Sequence, residues 1–147
     1  MTLPDSPILY FSEDRNLPSV TSKTTSWLIE IAELHGFTID SINYIFCSDE
    51  YLYDINSTYL NHQYYTDIIT FDNSEEAGLI ESDIFISTDR VADNEAKLNV
   101  PRGTEILRVM VHGILHLCGL KDKTHSEQEE MRKAEDASLK LWHSKYA

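Results

Sequence analysis

His112-Gly113-Ile114-Leu115-His116-Leu117-Cys118-Gly119-Leu120-Lys121-Asp122 is the stretch on which the reading of this 147-residue chain turns. About 100° per residue brings position i+4 of an α-helix back over position i, so His112 and His116 share one face. Two imidazoles so placed can hold a divalent metal between them. Gly119 can end the helix in a left-handed turn, and that turn can swing Asp122 back toward the metal. The spacing H-x3-H-x2-G-x2-D thus supplies three ligands and leaves a fourth position for water, as a catalytic zinc site requires. His125 is the alternative third ligand, because imidazole is the commoner partner of zinc. Its place in the first turn of a following helix makes Asp122 the expected one.

A helical histidine pair by itself more often faces solvent or a core hydrogen bond; here the glycine and the acid converge on the same point. Gly113 narrows the chemistry. In zinc peptidases with H-E-x-x-H, a glutamate at that position is the general base. With no side chain there, the ligand spacing is metzincin-like but the peptidase base is missing.

Outward from this helix, strand-like and helix-like segments alternate. Residues 8–11 read as a short strand after Pro4 and Pro7, and residues 41–47, 66–71 and 83–87 as three more. The acidic stretch 72–78 makes a hairpin or loose loop between the last two. Trp27, Leu28, Ile31 and Leu34 mark a helix over 22–34 that Gly36 closes. A second helix starts at Ser48, with Leu52, Ile55, Tyr59 and Leu60 as its buried stripe. Thr88 or Asp89 caps a third helix through Leu98, and Pro101 suits the first turn of the histidine helix. Thr124-His125-Ser126-Glu127 has capping-box form and opens a charged last helix through Trp142. The pattern predicts an α+β fold, a small mixed β-sheet packed with helices, in a single domain over residues 1–147.

Cys47 and Cys118 lie in apolar stretches and form no secretory framework. The N-terminus carries no export signal, and no segment approaches a membrane span. A soluble, cytoplasmic protein is expected. The net charge of −13 excludes general electrostatic attraction to nucleic acid or anionic membranes. It leaves room for a nuclease whose metal handles one phosphate, or one delivered to RNA by a basic partner such as a ribosomal protein.

The string His112-Gly113-Ile114-Leu115-His116-Leu117-Cys118-Gly119 resembles the signature H-G-x-L-H-L-x-G of the YbeY family of bacterial endoribonucleases, or rRNA maturation factors. Asn56-Ser57-Thr58-Tyr59 followed by Tyr65-Thr66-Asp67-Ile68-Ile69-Thr70-Phe71 resembles the family's N-x-x-Y…P-T-D-V-L-S-F. Ser82-Asp83-Ile84-Phe85-Ile86-Ser87 resembles its G-D-I-x-I strand. The resemblance implies one Zn²⁺ per chain, hydrolysis of single-stranded RNA, maturation of the 16S rRNA 3′ end and ribosome quality control. The implied partners are small-subunit ribosomal proteins and the assembly GTPase Era. Three positions depart from the family pattern: Asp122 for a third histidine, Leu60 for an arginine, and Tyr65 for a proline. Asn61 or His62 could take over part of that arginine's role.

Further positions carry a functional and a plain reading side by side. Asp67 could brace a metal-bound histidine, or cap a turn, and Asp83 has the same status. Glu105, seven residues before His112 on the same face, could orient a ligand or water, or merely suit the helix dipole. Tyr59, Tyr64 and Tyr65 could stack unpaired bases. Cys118 points away from the ligands and reads as a small core residue. The expected activity is a single-strand-specific, metal-dependent endoribonuclease. The alternatives are a zinc peptidase or amidase, disfavoured by Gly113, and a ribosome-assembly factor with a structural metal, favoured by the acidic charge and Leu60.

Overall fold

Thr38–Cys47 (β2) places Ile42, Tyr44 and Phe46 on one face at a two-residue period, and all three are fully buried. This strand is the spine of the sheet in the computed structural model, which describes residues 6–147; Pro4 lies outside the described residues. On one side β2 pairs in parallel with Ile8–Ser12 (β1), Ile8 opposite Ile42. On the other it runs parallel to Leu79–Ser87 (β4), Tyr44 opposite Ile84. Ile68–Asp72 (β3) closes that edge antiparallel to β4, Ile68 opposite Ile86. The order β1-β2-β4-β3 is the small mixed sheet the sequence predicts, and the fold is α+β. Two strands start earlier than expected. β2 begins at Thr38 through an irregularity between Ile39 and Ser41, and β4 at Leu79, four residues ahead of Asp83. The register shift at Asp40 in β2 and the polar Ser82 on the buried side of β4 interrupt the apolar alternation there and disguise the ladder.

Ser22–Leu34 (α1) buries Trp27, Leu28 and Ile31 as its spacing predicts, but Leu34 is 68% exposed. The stripe ends a turn early because the chain leaves the core at the helix end. Asp49–Leu60 (α2) starts at the Ser48 cap, whose hydroxyl accepts from Tyr51 N. Leu52 packs with Cys47 and Ile69 on the sheet's second face, while Tyr59 and Leu60, expected in the stripe, are exposed. The last turn of α2 instead brings Leu60 to a surface cavity.

Ser87, rather than Thr88 or Asp89, caps Thr88–Leu98 (α3), accepting from Arg90 N at 3.1 Å. Asp89 binds Arg15 and the amide of Asp49 instead. Pro101 precedes Thr104–Leu117 (α4) rather than sitting in its first turn. The helix is entered through Gly103 in a left-handed conformation, φ +88°. His125–Leu141 (α5) opens on the predicted Thr124–Glu127 capping box and widens into a π turn over Trp142–Tyr146. Tyr44 Oη donates to Met110 O (2.8 Å) and Trp27 Nε1 to Ser138 O (2.8 Å), tying sheet to α4 and α1 to α5 across the core. Among the described residues no helix is long and apolar enough to cross a membrane.

Candidate active site

α4 is amphipathic in a particular way: Met110, Val111, Ile114 and Leu115 are buried, while His112 and His116 emerge on the flank. Their rings lie nearly parallel, 8° apart, with centroids 6.2 Å from each other. The helix stops as Gly119 adopts φ +99°, and Leu120 N donates back to Leu115 O. The reversed chain brings Asp122 Oδ2 to 3.3 Å from His112 Nε2. Adjacent ligand atoms of a tetrahedral ion with bonds of about 2.0–2.2 Å stand roughly 3.3 Å apart, so this pair already spans one edge of such a site. His116 lines the same cavity. Among the described residues no three such groups close into an assembled cluster, but two imidazoles and a carboxylate on one cavity suit a divalent ion of the zinc type.

His112 is braced from behind. Its Nδ1 is 2.7 Å from Glu135 Oε2 on α5, a pairing in which Nδ1 donates and which leaves Nε2, on the side of Asp122, as the nitrogen a metal would take. The other oxygen of Glu135 accepts from Arg108 Nη1 at 3.1 Å, and Arg108 also reaches Asp136. Burial by itself would lower the His112 pKa; the hydrogen bond and charge of Glu135, with Asp122 and Asp67 behind, outweigh it and raise the value. Sequence reasoning missed both Glu135 and Arg108. The signal for Glu135 was a charged residue in the buried register of α5, between Met131 and Leu139. For Arg108 it was a place one turn before His112.

The cavity holds about 500 Å³ and gathers His62, Asp67, Glu105, His112, His116 and Asp122 from the expected residues, together with Arg108, Lys123 and Glu135. Burial raises the pKa of Asp67, with His112 pulling the other way. Burial likewise raises Glu105, against the pull of Arg108. His62 and Tyr64 form a stacked pair on the rim, centroids 5.2 Å apart and 20° from parallel, and Asn56 Nδ2 holds the Tyr64 carbonyl.

Other expected residues fall elsewhere. Asn61 is the left-handed C-cap of α2, and His125 is exposed with its Nε2 3.0 Å from Glu129. Asp83 accepts from Asn43 on the sheet. Tyr59 packs edge-on to Phe71, and Tyr65 lies against Tyr53 and Arg90. Burial lifts the Cys118 thiol to about 11 and the Cys47 thiol to about 12.

Gly113 owes its lack of a side chain to packing. A Cβ there would stand 3.2 Å from Ile68 Cδ1 and 3.2 Å from Ile84 Cδ1, so α4 lies directly on β3 and β4. A glutamate at this position would drive a carboxyl into the apolar layer.

The family model described as Endoribonuclease YbeY matches residues 11–143. The chain belongs to the YbeY family. The Endoribonuclease YbeY of Cytophaga hutchinsonii is 52% identical over 135 residues, spanning 91% of this chain and 94% of the relative. That of Phocaeicola vulgatus is 45% identical over 91% and 97%. A solved protein of Thermotoga maritima, 24% identical, shares the fold with a TM-score of 0.59 over 93% of this chain and 92% of its own. Leu60, at the position where the resemblance leads one to expect an arginine, lies on the cavity wall, and Arg108 and Lys123 line the same cavity. Tyr65 at the YbeY proline position donates from Oη to Glu50 Oε1, a contact away from the cavity.

Proposed function

We propose that residues 1–147 form one YbeY-like metallohydrolase domain, a metal-dependent endoribonuclease acting on single-stranded rRNA, in 16S 3′-end maturation and ribosome quality control. The observation that carries it is the braced pair: His112 fixed by Glu135 with its Nε2 facing Asp122, in a chain related to the endoribonucleases over nine-tenths of its length. His112, His116 and Asp122 would hold Zn²⁺. Bound there, the ion supplies Lewis acidity toward a phosphate oxygen and a water of lowered pKa. Glu135 holds the tautomer of His112 and Arg108 holds Glu135 in place. Burial raises the pKa of Asp67, so its carboxyl beside the histidines holds a proton more readily than an exposed one would. The exposed His62–Tyr64 pair offers an unpaired base a stacking surface, which favours single strands over duplex. Small-subunit ribosomal proteins and the GTPase Era are the proposed partners, suited to an acidic chain that needs a basic escort, and the cytoplasm is the proposed compartment.

The peptidase or amidase reading loses its support, since position 113 faces the sheet, where a Cβ would already crowd Ile68 and Ile84 at 3.2 Å and a glutamate would point its carboxyl into the apolar layer. The assembly-factor reading, with a structural metal, keeps one observation in its favour, the net charge of −13. One experiment separates it. Wild type and His116→Ala are assayed for bound metal and for cleavage of a labelled single-stranded rRNA fragment, with and without chelator. Cleavage that follows metal occupancy supports the nuclease. One equivalent of metal without cleavage supports the assembly factor, and cleavage unchanged in His116→Ala means a contaminant.

A further inference from the structure

The free edge of β3 is a wall of the cavity for which the metal site has no use. β3 pairs with β4 on one side, and the sheet ends on the other. The ladder shows which of its main-chain groups are spent. Ser87 N donates to Asp67 O (2.9 Å) and Asn73 N to Glu81 O (2.8 Å), so the odd-numbered residues from 67 to 73 turn their main-chain polar groups toward β4. In an antiparallel pair the residues between them, Ile68 and Thr70, turn theirs outward. Thr66 Oγ1 covers the Ile68 carbonyl at 3.3 Å, and among the described residues no loop, cap or side-chain group meets the amide of Thr70.

This edge faces the cavity. Ile68 points to one face of the sheet, against Gly113, and Ile69 to the other, where it packs with Leu52. Both line the cavity, as do Leu60 of α2 beyond one face and Val109 of α4 beyond the other. A space lined from both faces of a strand wraps its edge. Bare edges recruit other chains and are commonly blunted by charge or proline, and Ile68-Ile69-Thr70-Phe71 has neither. A peptide could add to such an edge as a further strand. An RNA strand is the occupant that the relatives' activity and the shortage of free cations favour: Arg108 lines the cavity but already serves Glu135 and Asp136. A main-chain amide offers an anion a donor that no carboxylate of the cavity has claimed, and amides commonly hold phosphates. Asp67, just before the strand, feels the charge of His112, and Thr70 lies about 10 Å further along. Its amide therefore suits a phosphate flanking the reacting one.

We propose that the free edge of β3 is the track along which the RNA strand lies, with the outward amide of Thr70 donating to an oxygen of a phosphate beside the scissile one. This rests on the ribonuclease reading, and the test keeps the two apart.

A short single-stranded RNA is made with a methylphosphonate at each linkage in turn, which removes one charge and one accepting oxygen. Each modified nucleotide carries a 2′-O-methyl group to keep the linkage intact, and its parent strand carries the same group. Binding by fluorescence anisotropy and cleavage (kcat and KM) are measured for metal-loaded wild type, for a variant with an ester in place of the Thr70 amide, and for Thr70→Val. The scissile linkage is scored by binding alone. In wild type, one linkage beside it should lose about tenfold or more in Kd and KM beyond the loss shared by all linkages. The ester has an oxygen where the N–H stood, so it should weaken the parent strand by a similar factor and show no extra loss at that linkage. Thr70→Val keeps the amide, and the extra loss should persist. Thr70→Pro also lacks the N–H and suits an outward-facing edge position, so it decides the matter should the ester variant fail to melt cooperatively. An extra loss that survives in the ester or proline variant overturns the proposal, as does one erased by Thr70→Val, which would assign the contact to the hydroxyl. A flat scan in wild type that still cleaves overturns the track alone and leaves the edge to a peptide strand. The expected binding pattern without any cleavage refutes the ribonuclease reading alone.

Discussion

Replacing Glu135 by glutamine should loosen the metal centre without touching a ligand. Glu135 receives two donors at once, His112 Nδ1 at 2.7 Å and Arg108 Nη1 at 3.1 Å, and is only 8% exposed. Glutamine has the same shape but one oxygen. Whichever donor that oxygen keeps, the other faces an NH₂ group, so one charge-assisted hydrogen bond is lost and a buried donor is left unpaired. Bonds of this kind contribute about 1.5–3 kcal/mol. If His112 loses its partner, its ring is no longer held in the tautomer that presents Nε2, and metal affinity should fall about 10- to 100-fold, or about 1.4–2.7 kcal/mol. If Arg108 loses instead, the cost falls on stability, visible as a lower urea midpoint. The assay is competition for Zn²⁺ against a chromophoric chelator, paired with a urea melt of the metal-free protein. Arg108→Gln is the control, since it leaves His112–Glu135 intact and should lower affinity less. Metal affinity within about twofold of wild type, together with an unchanged urea midpoint, would refute the claim that Glu135 organises this site.

Asp122→Ala should lose metal while His125→Ala keeps it, as read by bound zinc after gel filtration, because Asp122 Oδ2 lies 3.3 Å from His112 Nε2 and His125 pairs with Glu129 in solvent; the reverse result makes His125 the ligand. Gly113→Glu should destabilise by more than about 3 kcal/mol, since it overpacks the α4–sheet contact at Ile68 and Ile84 and buries a charge. A urea midpoint equal to wild type would contradict that packing. At high pH the fold should weaken. Burial raises the Cys47 thiol to about 12 and the Tyr44 phenol well above 10, so their contribution is whole below the unfolded values of about 8.5 and 10 and is lost as pH climbs toward the folded ones. Urea midpoints at pH 7.5 and 10.5 test the sign, and a higher midpoint at pH 10.5 would reverse it.

The histidine helix was legible in the sequence because its logic is local. The i, i+4 spacing, the Gly119 turn and the Thr124 capping box are each set within a few residues, and the structure follows them. What escaped was whatever depends on two segments meeting. Glu135 reads as one more charge on a charged helix until α5 is laid against α4 and its register faces His112. Gly113 invites a chemical reading, as a peptidase base removed, until the sheet is known to lie against it. Tyr59 and Leu60 continue an apolar stripe by spacing but not by burial, because the last turn of α2 overhangs the sheet and Tyr59 meets it only edge-on at Phe71. Local rules say which face of a helix is apolar; they do not say where the surface it packs on ends.

The departures from the YbeY pattern bear on charge more than on shape. Asp122, where the resemblance leads one to expect a histidine, gives the cavity a negative charge, and Leu60, where it leads one to expect an arginine, gives it no positive one. The wall then carries four carboxylates, Asp67, Glu105, Asp122 and Glu135, against two fixed cations, Arg108 and Lys123. The formal excess of two negative charges repels a phosphodiester, and burial answers part of it by raising Asp67 and Glu105 so that they hold protons more readily. A divalent ion would cancel the remainder in one step and convert the cleft from one that rejects RNA to one that admits it. An ion held there would then serve substrate binding as well as bond cleavage, and RNA affinity measured by anisotropy should fall when a chelator is added; affinity unchanged by chelator would refute that role.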